Sequence, residues 1–255
     1  MPVIAIIGAG PGLGGAVARR FGREGFSVAL ISRNREKLDG MVAELAEAGV
    51  TAAAFTADVR VPAELEDALA RAAAELAGSG FTATGYSADV RVPAELEAAL
   101  AQAATELGPI TALQYSPLPS RDYLKPVLDL TPELALEALQ FSALGLIHAA
   151  RAVLPAMRDA GDGSIILING GTSVKARAGF AGTSVAFPSE SAYGEMLHDA
   201  LADEGIRVSQ LVIPGGIPQL DLPNGIDDVA ERIWELHATA GEFRTMLIPL
   251  EDGRE

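Results

Sequence analysis

The sequence predicts a three-layer α/β domain on a doubly wound parallel sheet, and three observations carry that expectation. Strand-type and helix-type segments alternate along the chain, the pattern of a parallel sheet covered by helices on both faces. The apolar run Ile4-Ala5-Ile6-Ile7 passes directly into Gly8-Ala9-Gly10-Pro11-Gly12-Leu13-Gly14, then into an amphipathic helix with Leu13, Val17 and Phe21 at helical spacing. The chain has 255 residues, 49% of them hydrophobic, which suits one domain with a large core and excludes disorder as a whole-chain reading.

The glycine cluster is the first candidate site. Gly8 lets the chain turn sharply off a strand. Gly12 and Gly14 keep side chains away from where a helix start, a phosphate and the strand must meet. The N-terminus of the following helix offers N–H groups and partial positive charge to an anion. The spacing is Gly8-x-x-x-Gly12-x-Gly14; the alternative register Gly8-x-Gly10-x-x-Leu13 lacks a third glycine. A dinucleotide held over Gly8, Gly10, Gly12, Leu13 and Gly14 is the expectation.

The second strand is Ser27-Val28-Ala29-Leu30-Ile31-Ser32, ending at Arg33-Asn34-Arg35, and a helix follows with Leu38, Met41, Val42 and Leu45 on one face. A third strand over residues 50–56 ends in Asp58-Val59, and Pro62 opens a helix with Leu65, Leu69, Ala72 and Leu76 inward. The fourth strand is Ile110–Tyr115. Thr131 and Pro132 then cap and open a long helix through Leu144 and Ile147 toward Leu154. A fifth strand over 164–168 leads into Asn169-Gly170-Gly171-Thr172-Ser173. A helix over about 188–203 precedes the sixth strand, Ile206–Ile213, which ends at Pro214-Gly215-Gly216. A last helix over about 227–237 and a closing strand over 246–250 complete the chain.

An internal repeat interrupts this order. The residues from Ala43 to Leu76 recur from Ala74 to Leu107 at an offset of 31, with 24 of 34 pairs identical. The run Ala57-Asp58-Val59-Arg60-Val61-Pro62-Ala63-Glu64-Leu65-Glu66 returns unchanged from Ala88 to Glu97. The repeated piece is one strand plus one helix. Two copies fall short of the roughly three that a stacked repeat array needs. The expectation is therefore a tandem duplication, natural or engineered, inside one domain spanning residues 1–255. Both copies keep their apolar pattern, so an extra edge strand added by a further right-handed crossover is expected. Which copy takes the third-strand slot stays open.

Composition narrows the partners. A net charge of −15 argues against nucleic acid or an anionic membrane. Without cysteine there is no disulfide frame and no thiolate metal site, and no metal-binding cluster is expected. The first strand opens at residue 3, which leaves no room for a cleaved leader. The longest apolar helix, around 143–157, contains His148 and Arg151 and is expected to be too short to span a bilayer. A soluble cytoplasmic protein is the expected setting.

The glycine motif, Asp58-Val59 after the third strand, Gly205-Ile206-Arg207-Val208 and Pro214-Gly215 together resemble the short-chain dehydrogenase/reductase family over nearly the whole chain. The resemblance implies a Rossmann-type sheet and a nicotinamide cofactor. Family members that prefer NAD carry an acid at the end of strand two, where this chain has Ser32-Arg33-Asn34. Arg33 suits a 2′-phosphate as a bidentate partner, so NADP(H) is expected ahead of NAD(H). Asp58 or its copy Asp89, with Val90, is implied at the adenine, and Pro214 and Gly215 also belong to the implied cofactor set.

The catalytic half departs from the family, which uses Asn, Ser, Tyr and Lys. Aligned back from Gly205-Ile206-Arg207-Val208, the tyrosine position falls on Phe187 and the lysine position on Ser191. The asparagine position falls on Ser142. The serine position falls near Gly170, with Thr172 and Ser173 as neighbouring hydroxyls. A phenyl ring has no proton to give, and a serine brings no charge to lower a neighbour's pKa. Tyr-x-x-x-Lys occurs nowhere in the chain. The best surrogate hydroxyl is Tyr115, at a strand's carboxyl end. Tyr193, Leu197 and Leu201 share a helix face and read as packing, and Trp234 and His237 read as core or interface packing. Only residues 216–226 are available as a lid. Three readings follow: an atypical NADP(H)-dependent oxidoreductase acting on a small carbonyl or alcohol substrate; a non-catalytic nucleotide-binding scaffold; or a chain engineered to carry the duplicated unit, with no function beyond its parent's. Relatives pair through the helix of Ser142 and the one after Phe187, so a homo-oligomer is implied, with Leu144, Ile147, Leu197 and Leu201 as candidate contacts.

Overall fold

A computed structural model describes residues 1–10, 12–33, 38, 40–41, 52–53, 83–217, 220 and 222–250. Its strands are β1 (Val3–Ile7), β2 (Ser27–Ser32), β3 (Ala52–Ala53), β4 (Ala83–Ser87), β5 (Ile110–Tyr115), β6 (Gly163–Gly170), β7 (Ile206–Ile213) and β8 (Arg244–Met246). The helices are α1 (Leu13–Arg23), α2 (Pro93–Leu107), α3 (Pro132–Leu139), α4 (Gly145–Ala160), α5 (Ala181–Leu201) and α6 (Ile226–Ala238). The sheet order is β3-β4-β2-β1-β5-β6-β7-β8 and every pairing is parallel. Strand side chains alternate between faces. Val3, Ala5 and Ile7 enter the core beneath α2, α4 and α5, while Ile4 and Ile6 enter the core beneath α1, α6, Leu38 and Met41. This is the expected three-layer Rossmann-type fold.

The repeat adds the expected edge strand, and the second copy takes the slot beside β2. Val28 to Ser32 pair with Ala83 to Ser87, and β3 pairs outside β4 through Ala52↔Ala83 and Ala53↔Thr84. The register offset equals the repeat offset, so equivalent residues of the two copies lie side by side. Packing gives a reason for the order. A Cβ at Gly85 would stand 3.3 Å from Leu38 Cβ, and the first copy carries Ala54 at that position. A chain shortened by residues 52–82 keeps the inner copy whole. It is expected to retain one cooperative thermal transition; a non-cooperative melt would show that the first copy belongs to the core.

Several boundaries are corrected. The helix expected at 188–203 begins at Ala181, with Pro188 inside it. Its start is anchored by neighbours: Ala181 N–H donates to the Lys125 carbonyl at 2.9 Å, and Gly182 lies against Tyr123. The closing strand expected at 246–250 is Arg244–Met246, since Pro249 has no N–H for a ladder. The fifth strand expected at 164–168 extends to Gly163–Gly170. The apolar helix is also longer than expected. Pro132–Ala160 runs 29 residues, long enough to cross a membrane, and 56% of its apolar window is buried inside the fold, as in a core helix. Within it, Gln140–Leu144 forms a π-turn, where the Tyr115 hydroxyl donates to the Phe141 carbonyl at 2.7 Å. A side chain inserted into the helical ladder widens it in this way. Of the third strand only Ala52 and Ala53 are described. Asn34, Val42, Leu45, Asp58, Val59 and the helix from Pro62 lie outside the described residues.

At the opposite end of the sheet from the glycine turn, Phe21, Phe26 and Trp234 surround the His237 imidazole, with Phe21 and Trp234 rings 5.0 Å apart. His237 Nδ1 and Ser164 Oγ are 2.7 Å apart and buried, and burial lowers the imidazole pKa to about 4. His237 is thus a core residue, and Trp234 packs against the core partly buried.

Candidate functional site

The carboxyl ends of the strands assemble the site. Along the rim they present Ala88-Asp89 (β4), Arg33 (β2), Gly8 (β1), Ser116 (β5), Gly170 (β6) and Pro214 (β7). β1 lies between β2 and β5, where connections turn to opposite sides of the sheet, and open α/β sheets bind ligands at that crevice.

The glycine turn is tight and specific. Gly8 has φ +85°, and a Cβ there would fall 2.5 Å from Pro117 N. Both Gly8 N–H and Ala9 N–H donate to the Ile31 carbonyl, at 2.9 and 3.1 Å. Gly14 packs on Ala9, with 3.0 Å from a Cβ position to Ala9 Cα, which lets α1 approach β1. Gly10 has open space at its Cβ position, and Gly12 meets only Ile226 Cδ1, at 3.4 Å. Gly10 with its open side stands three residues before the start of the 11-residue helix α1, whose N-terminal N–H groups suit an anion. These residues fit a dinucleotide phosphate. The rim order fits too: Arg33 and Asp89 lie to one side of the cradle, Gly170, Pro214 and Gly215 to the other.

Around Arg33 the second copy supplies the neighbours. Ala88 N–H donates to the Ser32 carbonyl at 3.2 Å, which seats Asp89 beside Arg33. Both Asp89 carboxylate oxygens accept from Arg91, the shortest contact being 2.7 Å from Nη2. Burial raises the Asp89 pKa, but the Arg91 bonds and the nearby Arg33 charge hold it below the usual carboxylate range. Val90 is buried beneath this turn. Asp58, the counterpart of Asp89, lies outside the described residues.

The four catalytic positions of the resemblance are not brought together as a catalytic set. Phe187 is buried in the core, with its ring 3.9 Å from a Cβ position on Gly170 at the end of β6. Thr183, one turn earlier on α5, donates to the Phe180 carbonyl at 3.2 Å. Ser191 lies deeper. Its hydroxyl donates to Gln210 Oε1 at 2.8 Å and accepts from Arg244 Nη2 at 2.8 Å. Gln210 stands three residues short of the end of β7, so Ser191 sits within the fold. Ser142 is fully buried and bonded to the Glu190 carboxyl and the Ala186 carbonyl. Of the neighbouring hydroxyls, Ser173 donates to the Gly170 carbonyl at 2.9 Å, and Thr172 is buried. Tyr115, expected as a surrogate, is a core residue: it is fully buried with its hydroxyl on Phe141, and burial lifts its pKa well above the ordinary value. Tyr193 packs against the core beside Leu197 and Leu201, as read. Among the described residues no group of three or more His, Cys, Asp or Glu could hold a metal ion.

The sequence reading missed one central residue. Glu190 is 1% exposed and bridges the elements that carry the family positions. Asn169 Nδ2 donates to Glu190 Oε1 at 3.0 Å, and Gln210 Nε2 donates to Asn169 Oδ1 at 2.7 Å. Burial pushes the Glu190 pKa up to about 7, against the opposing bonds from Ser142 and Asn169. One signal was available: Ala186, Phe187, Glu190, Ser191 and Gly194 form a single helical stripe, and all are buried.

A glycine turn at the switch point of a doubly wound parallel sheet defines a Rossmann-type α/β protein. Comparison with known proteins narrows the class. The family profile described as short chain dehydrogenase matches residues 2–79 and 65–219, and the chain belongs to that family. The two matches overlap inside the repeat. Over 66 residues the chain is 42% identical to 2,3-dihydro-2,3-dihydroxybenzoate dehydrogenase of Bacillus subtilis; the match spans 26% of this chain and 25% of that protein. A short-chain dehydrogenase from Rhodopseudomonas palustris superposes with a TM-score of 0.75 at 23% identity, covering 98% of this chain and 99% of that one. A metagenomic short-chain oxidoreductase solved in complex with NADP gives a TM-score of 0.73 at 20% identity, covering 98% of both chains.

Proposed function

We propose that the chain is an atypical NADP(H)-binding member of this family that holds the nucleotide without the family's phenol-and-amine proton transfer. The crevice supplies the phosphate seat at Gly8, Gly10, Gly12, Leu13 and Gly14. Arg33, with Ser32 and Asn34, takes the 2′-phosphate. Asp89 and Val90 take the adenine in place of Asp58, because β4 and not β3 adjoins β2. Pro214 and Gly215 flank the nicotinamide end. When bound, the nucleotide would supply the hydride.

One observation carries the loss of proton transfer. At the position aligned with the family's phenol the chain carries the buried Phe187 ring, while the hydroxyls of Ser142, Ser191 and Tyr115 are spent on buried partners. General acid catalysis contributes about 10²–10⁴-fold, so its loss leaves slow turnover even with hydride donor and carbonyl side by side. Of the first copy, β3 lies outside β4 at the sheet edge, while the second copy supplies Asp89 and Val90.

Calorimetric titration with NADPH and NADH tests the binding half. NADPH is expected to bind at least tenfold more tightly than NADH, the effect of one good charged contact. Following nicotinamide absorbance with a panel of small aldehydes and ketones tests the other half. Turnover at rates ordinary for the family would refute the loss of proton transfer, and binding of neither nucleotide would refute the whole reading.

A further inference from the structure

Asp89 and Arg91 are two residues apart, and Arg91 spends nearly its whole guanidinium on Asp89. Its Nε reaches both carboxylate oxygens at 3.1 and 3.2 Å, its Nη2 reaches Oδ2 at 2.7 Å, and its backbone N–H donates to Oδ1 at 3.0 Å. The remaining Nη1 lies 3.6 Å from Glu137 on α3, and the Tyr123 hydroxyl is a further partner. The Arg91 side chain is 34% exposed and that of Asp89 18%, so the pair is only partly screened by water. Arg33 stands at the end of the neighbouring strand, close enough for its charge to act on both Asp89 and Tyr123. Among the described residues Arg33 forms no ion pair of its own.

We propose that Arg91 sets cofactor choice from outside the contact surface, as a positioning residue that keeps the Asp89 carboxylate from pairing with Arg33. The inference rests on the NADP(H) reading above. A carboxylate beside an arginine competes with any incoming phosphate. Turned inward onto Arg91, Asp89 leaves the Arg33 guanidinium to the ligand. Without Arg91, Asp89 would be an uncompensated negative charge at the strand end. It would repel a 2′-phosphate, which carries close to two negative charges, and swing toward Arg33. NADH, with a hydroxyl at that carbon, would feel little of this. The same Asp-Val-Arg run occurs in the first copy as Asp58-Val59-Arg60, but only the second copy adjoins β2.

The test is a set of titrations with NADPH and NADH on the full chain and three variants: Arg91→Ala, Asp89→Asn and the double variant. Arg91→Ala is expected to lose tenfold to a hundredfold in NADPH affinity, the span of one charged contact, with NADH affinity changed less than about threefold. In the double variant the unpaired carboxylate is gone, and the NADPH-to-NADH affinity ratio is expected to return to within about threefold of the parent. A ratio unchanged in Arg91→Ala overturns the inference. So does an equal loss for both nucleotides that the second substitution leaves in place, since that marks a structural role. If Arg91→Ala fails to fold, the double variant decides alone: a parental ratio supports the proposal and a collapsed one overturns it. If the parent chain shows no preference for NADPH, the NADP(H) reading itself is what fails.

Discussion

Replacing Glu190 with glutamine is expected to stabilise the protein by about 3 kcal/mol above pH 7 and to leave it nearly unchanged near pH 4. The carboxyl titrates at about 7 in the fold, against an ordinary value of 4.5. A native pKa above the unfolded one means that folding favours the protonated form. Its contribution is fully present below pH 4.5 and is lost as pH rises through 7. The neutral acid also fits its partners better than the anion. A protonated Glu190 can donate to Ser142, whose hydroxyl then donates to the Ala186 carbonyl, while Asn169 donates to the other carboxyl oxygen. Glutamine reproduces that pattern atom for atom without a charge to bury. The gain corresponds to roughly 5–10 °C in Tm for a chain of this size. Melting curves of both proteins from pH 4 to pH 8 check it. A gap that stays constant with pH would mean that Glu190 is ionised in the fold.

Gly8→Ala is expected to lower stability by about 3–5 kcal/mol and to abolish nucleotide binding with it. Two costs add. A left-handed φ in an alanine costs about 1–2 kcal/mol, and the new methyl meets backbone atoms of Ser116 and Pro117 that cannot rotate away. The turn holding Gly8 and Ala9 on the Ile31 carbonyl must open to relieve the contact. Gly10→Ala is the matched control. Its Cβ position is open and its φ is ordinary, so stability should stay within about 0.5 kcal/mol. A methyl there would intrude on the proposed phosphate seat, so affinity for NADPH should fall in a protein that melts normally. Chemical denaturation and titration of the two variants separate the roles; equal stability for both would refute the geometry of the turn.

Much of this was legible from residue order because parallel strands are buried on both faces. Continuous runs such as 27–32, 110–115 and 206–213 can be little else, and glycine or proline marks their ends. The glycine turn was legible for the same reason: few residue types tolerate a left-handed φ against a neighbouring backbone. The start of α5 was not, because Pro188 reads as a helix opening while the actual start is fixed by Lys125 and Tyr123 from a distant loop. Tyr115 failed as a surrogate for a related reason. Its position at a strand end is a matter of sequence, but the direction of its hydroxyl depends on the π-turn that receives it. Asp89 and Asp58 are identical in local sequence. What separates the two copies is tertiary: β4 pairs with β2, and at Gly85 it offers no methyl to Leu38 where the first copy carries Ala54.

The pairing of Ala52 with Ala83 makes the repeat a translation in space as well as in sequence. Moving along the chain by 31 residues moves across the sheet by one strand, about 4.8 Å, with direction and register kept. Growth by such steps alters only the outer margin. From β2 to β7 the strand ends that frame the crevice lie inward of β3. A sheet of this kind behaves like a row of tiles: it lengthens at one end, and the ends that matter stay where they are.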